Sequence, residues 1–476
     1  MDTESPKSVR RPAAEPFSGP ASTDFPRQFL WGTGTSAFQI EGSSEAAEKG
    51  LSIWDTFTKV PGQIEDGSNA DIACDSFRRP DRDISILTEL GMQAYRFSFS
   101  WPRIQPEGQG HGNTRALDHY DRFIDGLLER NIQPWVTLYH WDLPQSLENA
   151  GGWPARDTAY AFADYTEIVA KRFGDRVRGW ITQNEPWCAA MLGYREGVHA
   201  PGRKSHADAI AATHHLLLGH GMALPILRAY SSQAQVGLAL NLSQVDAATD
   251  DEADQEEARV FDGELNRWFC DAIFHSRYPA DVLAHFEQSG ALPKGATFIR
   301  EGDLRHIGGT IDYLGLNYYL RALSSASGAF SAVNPDSRVD LPRTDMGWEV
   351  YPQGLYNTLR MIHERWSPPS IFITENGAAF QDKPDDEGRV LDFERTDYLY
   401  RHLQEVRGAR NAGIPVHGYF AWSLLDNFEW DRGLSKRFGL VHCDFESGRC
   451  TPKQSARWYA NLIQTGILSA PSRSSQ

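Results

Sequence analysis

AYRFSFS (94–100), LDHYDRFIDGLLERN (117–131) and QPWVTLYH (133–140) follow one another in a single stretch, a helical pattern set between two short apolar runs. The outer runs are apolar nearly throughout instead of alternating, which is what parallel strands buried on both faces require. In the middle segment apolar residues recur at i, i+3, i+4 and i+7, the period of an amphipathic helix. The same unit continues in both directions. FLWGTGTSAF (29–38) precedes it; VRGWITQN (177–184), QVGLALNLS (235–243), DYLGLNYY (312–319), SIFITEN (370–376) and VHGYFAWSLL (416–425) follow it. Helical patterns such as RDISILTELG (82–91), YAFADYTEIVAKRFG (160–174) and HADAIAATHHLLLGHGMALPILRAY (206–230) lie between. Eight buried strands alternating with helices predict a single α/β domain, a (β/α)8 barrel with long βα-loop insertions, over residues 25–469. Residues 1–24 and 470–476, rich in Pro, Ser, Ala and charge, read as a disordered leader and tail.

Composition narrows the function. Of 476 residues, 41% are hydrophobic, with 14 Trp, 17 Tyr and 24 Phe, enough for a large core. The net charge of −16 repels phosphate backbones and anionic lipid, so neither nucleic acid nor a membrane surface is expected as a partner. No uninterrupted apolar run reaches membrane-spanning length, and Arg10-Arg11 is followed by Pro, Ala and Glu in place of a secretory apolar segment. Five cysteines (74, 188, 270, 443, 450) without Cys-x-x-Cys spacing fit free thiols and a cytoplasmic location.

In a (β/α)8 barrel the chemistry belongs at the C-terminal strand ends. Here those ends carry Gln39 and Glu41, Arg96, His140-Trp141-Asp142, Asn184-Glu185, Asn317-Tyr318-Tyr319, Glu375-Asn376, and Trp422 leading to Asn427-Phe428-Glu429-Trp430. Amides and carboxylates hydrogen-bond hydroxyls, and indole faces cover the C–H face of a sugar ring. The set therefore points to a polyol ligand. Glu185 and Glu375 end two different strands, and glycoside hydrolysis needs a carboxylate pair of this kind. Singly, each residue has a plainer reading: a strand-end Glu as a loop cap, Arg96 as a structural ion pair, a Trp as core. His140 has no second His or Cys at ligand spacing, so no metal and no cofactor are expected. His214, His215 and His220 read as surface or packing residues.

These residues sit in recognisable blocks. ITQNEP (181–186) and ITENG (373–377) resemble the acid/base and nucleophile motifs of family 1 glycoside hydrolases, the β-glucosidase family. FLWGTGTSAFQIEG (29–42), YRFSFSWPRIQPEG (95–108), YHWDLPQSLE (139–148), GLNYY (315–319), TDMGWEVYPQGL (344–355) and WSLLDNFEWDRGLSKRFGL (422–440) resemble its other blocks, in order. The departures are Gln183, where Leu or Phe is usual, and Leu434, where Tyr is common.

The resemblance implies a retaining enzyme that cleaves terminal β-D-glucosyl residues from β-glucosides and cello-oligosaccharides, with Glu375 as nucleophile and Glu185 as acid/base. Arg96 and Tyr319 would contact Glu375. The neighbouring carboxylate and partial burial would raise the pKa of Glu185. Asn184 would hold the sugar 2-hydroxyl, and Asn317 would belong to the substrate site beside it. Gln39, His140, Trp141, Glu429 and Trp430 would hold the other hydroxyls, Trp422 would floor the ring, and Trp348 would flank the aglycone.

Two other readings are weighed. A catalytically inactive sugar-binding barrel is opposed by the presence of both glutamates. A 6-phospho-β-glycosidase would draw on Ser435 and Lys436, but Phe438 stands where the clamp's Tyr is expected, and an ionised Glu429 would repel the phosphate. Oligomeric state and the ranking of glucose against galactose or fucose are not legible in the sequence.

Overall fold

The computed structural model describes residues 24–43, 46–292, 296–326 and 341–472. The expected leader, 1–24, lies outside these except for residue 24, and of the expected tail, 470–476, residues 473–476 lie outside. Eight parallel strands close into a barrel: β1 Leu30–Gly34, β2 Ala94–Ser98, β3 Gln133–Tyr139, β4 Gly179–Asn184, β5 Gln235–Leu240, β6 Tyr313–Asn317, β7 Ile371–Asn376 and β8 Val416–Trp422. Each pairs with its sequence neighbour, and β1 pairs with both β2 and β8. Each predicted run contains one strand. The first stops early, because Ala37–Ile40 turn into a short helix whose first amide donates to Ser98 Oγ at 2.7 Å. Gln39 therefore sits on a helical turn beyond β1.

The surrounding helices include α1 Pro80–Glu89, α2 Thr114–Glu129, α3 Asp157–Phe173, α4 His206–Tyr230, α5 Trp268–His275, α6 Pro352–Trp366, α7 Phe393–Asn411 and α8 Gln454–Thr465. In α2 the sequence period becomes packing directly. Asn113 caps the N-terminus by accepting from the amides of Arg115 and Ala116, and Ala116, Tyr120, Ile124 and Leu127 form the buried stripe. Helix α4 is long and apolar enough to cross a bilayer by composition, but most of that length is buried inside the protein. His214, His215 and His220 lie on it, all buried. Packing, and not surface exposure, is their role: His214 bridges Tyr278 and Asp303, and His220 bonds Thr182.

Aromatic rings plug the lower barrel. Trp135 packs on Tyr313, Phe372 and Phe420 with ring centroids 4.8–5.3 Å apart. Glycine makes room for them: a Cβ on Gly179 would lie 2.3 Å from the Trp135 ring, and one on Gly32 would lie 2.6 Å from Phe420. The barrel is closed below, so side chains that point inward above this layer face a cavity at the C-terminal mouth.

Two irregularities aim those side chains. Between Ile181 and Asn184, β4 sets three residue steps against two on β5; between Ile373 and Glu375, β7 sets two against one on β6. Each is a bulge of one extra residue. On β4, Thr182 and Gln183 both turn toward α4, and Asn184 turns inward. On β7, Thr374 and Glu375 both reach inward groups. Without the extra residue, strict alternation would have sent Asn184 and Glu375 to the helix side.

The loop after β8 is fixed from behind by buried charges. Lys453 Nζ bonds Asp382 at 2.5 Å and Asp426 at 2.6 Å; Arg395 holds Asp382 and Asp392, and Arg437 holds Asp426. Asp426 and Lys453 are fully buried, so removing the ammonium takes one of two cations from each of two buried carboxylates. Lys453→Met should cost ~3–5 kcal/mol of stability in urea unfolding; a loss under 1 kcal/mol would mean that the network is not needed to hold this loop.

Candidate active site

The strand ends converge on a cavity of about 290 Å³, near the lower end of the range for small-molecule sites. At its base the Arg96 guanidinium is wholly withdrawn from solvent. Nη1 donates to Glu375 Oε1 at 2.5 Å and to the Thr374 carbonyl at 3.0 Å. Nη2 donates to Asn184 Oδ1 at 2.6 Å, and Nε to Thr137 Oγ1 at 3.2 Å. The second oxygen of Glu375 accepts from the Tyr319 hydroxyl at 2.6 Å.

Glu185 follows Asn184 and enters the cavity on a left-handed backbone, with φ of 45°. Its Oε1 accepts from Asn317 Nδ2 at 2.6 Å, and the same amide nitrogen lies 3.0 Å from Asn184 Oδ1. Asn317 is oriented in turn by the Thr374 hydroxyl. A continuous path of hydrogen bonds thus joins Glu185 to Glu375 through Asn317, Asn184 and Arg96. The two carboxyl groups meet opposite surroundings. Loss of hydration, and then the charge of Glu375, push the pKa of Glu185 well above the usual carboxylate range, against the pull of Asn317 and the Cys188 thiol.

The rest of the predicted set falls around this pair. His140 Nε2 lies 3.1 Å from the Asn184 amide nitrogen; burial and the nearby Arg96 charge depress its pKa, so the ring is neutral. Trp141 and Trp430 contact each other with ring centroids 4.5 Å apart, and Trp422 lies parallel to His140 at 5.7 Å. Trp141 (φ 76°) and Trp430 (φ 48°) share the left-handed backbone of Glu185, so strained residues gather at this site. Trp348 packs on Tyr319 at the outer rim. Gln39 stands behind Glu429: it is fully buried, and its amide nitrogen donates to Asn427, to the Phe428 carbonyl and to Glu429.

Glu429 lines the cavity, and its pKa is pushed up to about 8, first by lost hydration and then by Asp431, Glu375 and Glu185. The expectation that it repels a 6-phosphate as an anion is therefore corrected for neutral pH, where it holds its proton. Lys436, the other half of that comparison, is bound to Asp345.

Asn241 was not singled out by the sequence reading. It follows β5 and faces the cavity, and it ends the one strand for which no site residue was named; position alone could have found it. Cys188, Phe261 and Leu265 also line the cavity, and no sequence signal marks them. Among the described residues, no cluster of three or more His, Cys, Asp or Glu is arranged to hold a metal.

A closed parallel barrel with two carboxyl groups in unlike environments at its C-terminal mouth defines a glycoside-hydrolase class of site. The profile of glycosyl hydrolase family 1 matches residues 21–467, and the chain belongs to that family. It is 43% identical to β-glucosidase A of Thermotoga maritima, covering 93% of this chain and 98% of that one, and 41% identical to β-glucosidase A of Acetivibrio thermocellus, covering 92% and 98%. A solved family 1 β-glucosidase of Thermotoga maritima superposes with a TM-score of 0.88 at 42% identity, over 94% of this chain and 100% of that one. The same relative in complex with glucoimidazole superposes with a TM-score of 0.87 at 42% identity, over 93% and 99%.

The charge of Glu375 is one cause of the raised Glu185 pKa, so Glu375→Gln should lower it. Carboxyl titration by 13C NMR should move down by roughly one pH unit or more; an unchanged midpoint would show that the two groups are not electrostatically coupled.

Proposed function

We propose that the protein is a retaining β-glucosidase that removes terminal, non-reducing β-D-glucosyl units by double displacement. The observation that carries this reading is the contrast between two carboxyl groups in one cavity. Glu375, gripped by a guanidinium and a phenol, is presented as an acceptor and serves as the nucleophile at the anomeric carbon. Glu185, which retains its proton, serves as the acid. In the first step the C1–O bond breaks, the leaving oxygen takes the Glu185 proton, and Glu375 Oε bonds to C1. In the second step the ionised Glu185 takes a proton from water, whose oxygen displaces Glu375 from C1 with net retention.

Asn184, held by Arg96, serves the 2-hydroxyl, and the contact strengthens as C1 becomes cationic. His140, Trp141, Glu429 and Trp430 serve the remaining hydroxyls, with Gln39 orienting Glu429, and Trp422 serves as the floor. A protonated Glu429 can both donate to and accept from neighbouring hydroxyls. A neutral sugar fits better than its 6-phosphate. Four carboxyl groups, of Glu185, Glu375, Glu429 and Asp431, line the cavity, and the nearby cations are engaged, Arg96 with Glu375, Arg321 with Glu349 and Asp246, and Lys436 with Asp345. Five free cysteines support a cytoplasmic setting.

The two glutamates should separate kinetically. On 2,4-dinitrophenyl β-glucoside, whose leaving group needs no proton, Glu185→Ala should keep the glycosylation step fast, while Glu375→Gln should lose about 10⁴-fold or more in kcat. Equal losses on that step would overturn the assignment. The first sugar released, followed by 1H NMR, should be the β-anomer, and an α-anomer would exclude the mechanism. Because Glu185 must be protonated to act, kcat/KM should fall as pH rises through its elevated pKa; a rate that climbs through that range would assign the acid to another group.

A further inference from the structure

A hairpin after the barrel carries thiols that the glycosidic reaction does not use. Its strands, Val441–Cys443 and Cys450–Pro452, pair antiparallel and set Cys443 directly opposite Cys450. The Asp444 amide donates to the Arg449 carbonyl at 2.9 Å. Hydrogen-bonded and non-hydrogen-bonded pairs alternate along an antiparallel ladder, so Cys443 and Cys450 form a pair of the second kind, whose side chains are the closer. The Cα separation of about 4.5 Å usual for such a pair falls within the span of a disulfide. The two sulfurs lie 3.0 Å apart. We propose that Cys443 and Cys450 are an oxidation site, a dithiol that a low-molecular-weight disulfide of the glutathione type closes into a cross-strand disulfide.

A cavity of about 100 Å³ opens beside the pair, lined by Cys74, Cys443 and Cys450. Cys450 is half-buried and Cys443 is buried, so Cys450 meets the reagent first. Its sulfur takes one half of the reagent, and the other half leaves as a thiol. Cys443 then displaces the second half from Cys450. Two protein S–H bonds and the reagent's S–S bond break; one protein S–S bond and two small-molecule S–H bonds form, and the reagent gains the two electrons that the dithiol loses. Cys74 also lies within hydrogen-bonding reach of Cys443, but its own hydrogen is directed to the Asp426 carbonyl at 3.0 Å. The hydrogen bond to Cys443, and then burial, raise the pKa of Cys450, so the pair rests as thiols and closes slowly at neutral pH.

The hairpin is tied to the active-site loop. The Cys443 carbonyl accepts from Arg437 Nη1 at 2.9 Å, and the same nitrogen donates to Asp426 Oδ2 at 2.9 Å. The Asp426 amide donates to the Val441 carbonyl at 2.9 Å. Asp426 begins the stretch that leads to Glu429 and Trp430. Closing residues 443–450 into a covalent loop restricts the unfolded chain and pins the strand on which this stretch rests. The new bond displaces no group of the catalytic pair, so turnover persists while resistance to heat rises.

The test uses the full chain, reduced, freed of reductant and incubated with glutathione disulfide in mildly alkaline buffer. Maleimide labelling under denaturing conditions should show the loss of two of the five thiols, and peptide mapping by mass spectrometry should find Cys443 joined to Cys450. Dithiothreitol should restore both thiols. Cys74→Ala should still lose two thiols, and Cys450→Ser should form no link within the chain. The linked protein should keep its turnover of 4-nitrophenyl β-D-glucoside and gain about 2–4 °C in Tm. A glutathione adduct that never closes, a Cys74–Cys443 link, or five thiols remaining even after treatment with the small azo oxidant diamide would overturn the oxidation site. An unchanged Tm or a lost turnover in the linked protein would overturn its consequence for the loop. The thiol counts and the Tm read the same whether or not the chain is a β-glucosidase, so the two readings fail separately.

Discussion

A fully buried arginine organises the centre of this molecule. Arg96 sits on β2 with its guanidinium out of water, a placement tolerated only when the charge is matched and the donors are used. The match is Glu375 on β7. The remaining donors go to the Thr374 carbonyl on the same strand, Asn184 on β4 and Thr137 on β3. One cation on β2 thus fixes side chains from three other strands at one depth of the barrel. Its planar fork sets their spacing as well as their charge, which a lysine could not do.

That demand accounts for the two bulges. Parallel strands alternate inward and outward strictly, so a second consecutive inward residue requires an inserted one. β7 must supply both Thr374, which orients Asn317, and Glu375, which meets Arg96; β4 must turn Asn184 inward just ahead of Glu185. On β4 the extra residue comes at a cost. Gln183 is fully buried against α4, and neither atom of its amide has a hydrogen-bond partner. The left-handed backbones of Trp141, Glu185 and Trp430 are the same trade in another form, local strain held by a rigid surround.

The surround is itself built in layers. Aromatic rings fill the barrel below the site, and buried ion pairs among Lys453, Asp382, Asp426 and Arg395 hold the β8 loop from behind. Glu429 and Trp430 reach the cavity on that loop, with Gln39 as a strut. The proton on Glu429 follows first from burial and then from crowding, since Asp431, Glu375 and Glu185 also oppose its ionisation. The charge of this group is set by its neighbours, and no inspection of residues 427–430 alone could give it.

The sequence by itself determined the barrel and the identity of the site. Strands buried on both faces must be apolar throughout, so a polar or aromatic residue ending such a run, as at His140, Glu185, Asn317 and Glu375, stands out against its own strand. Gln39 was legible as a site residue but not as a strut, because its partners lie in the chain's last fifty residues. Bulges, left-handed backbones and the proton on Glu429 leave no trace in a period of two or a list of residue types. They arise from register and from charges brought together across the barrel. The apolar lining of the cavity is the plainest case: Trp187, Leu242, Phe261 and Leu265 look like ordinary core residues in sequence. Segments far apart in the chain bring these faces together at the cavity, because burial on one side and exposure to a ligand on the other is a property of the assembled fold.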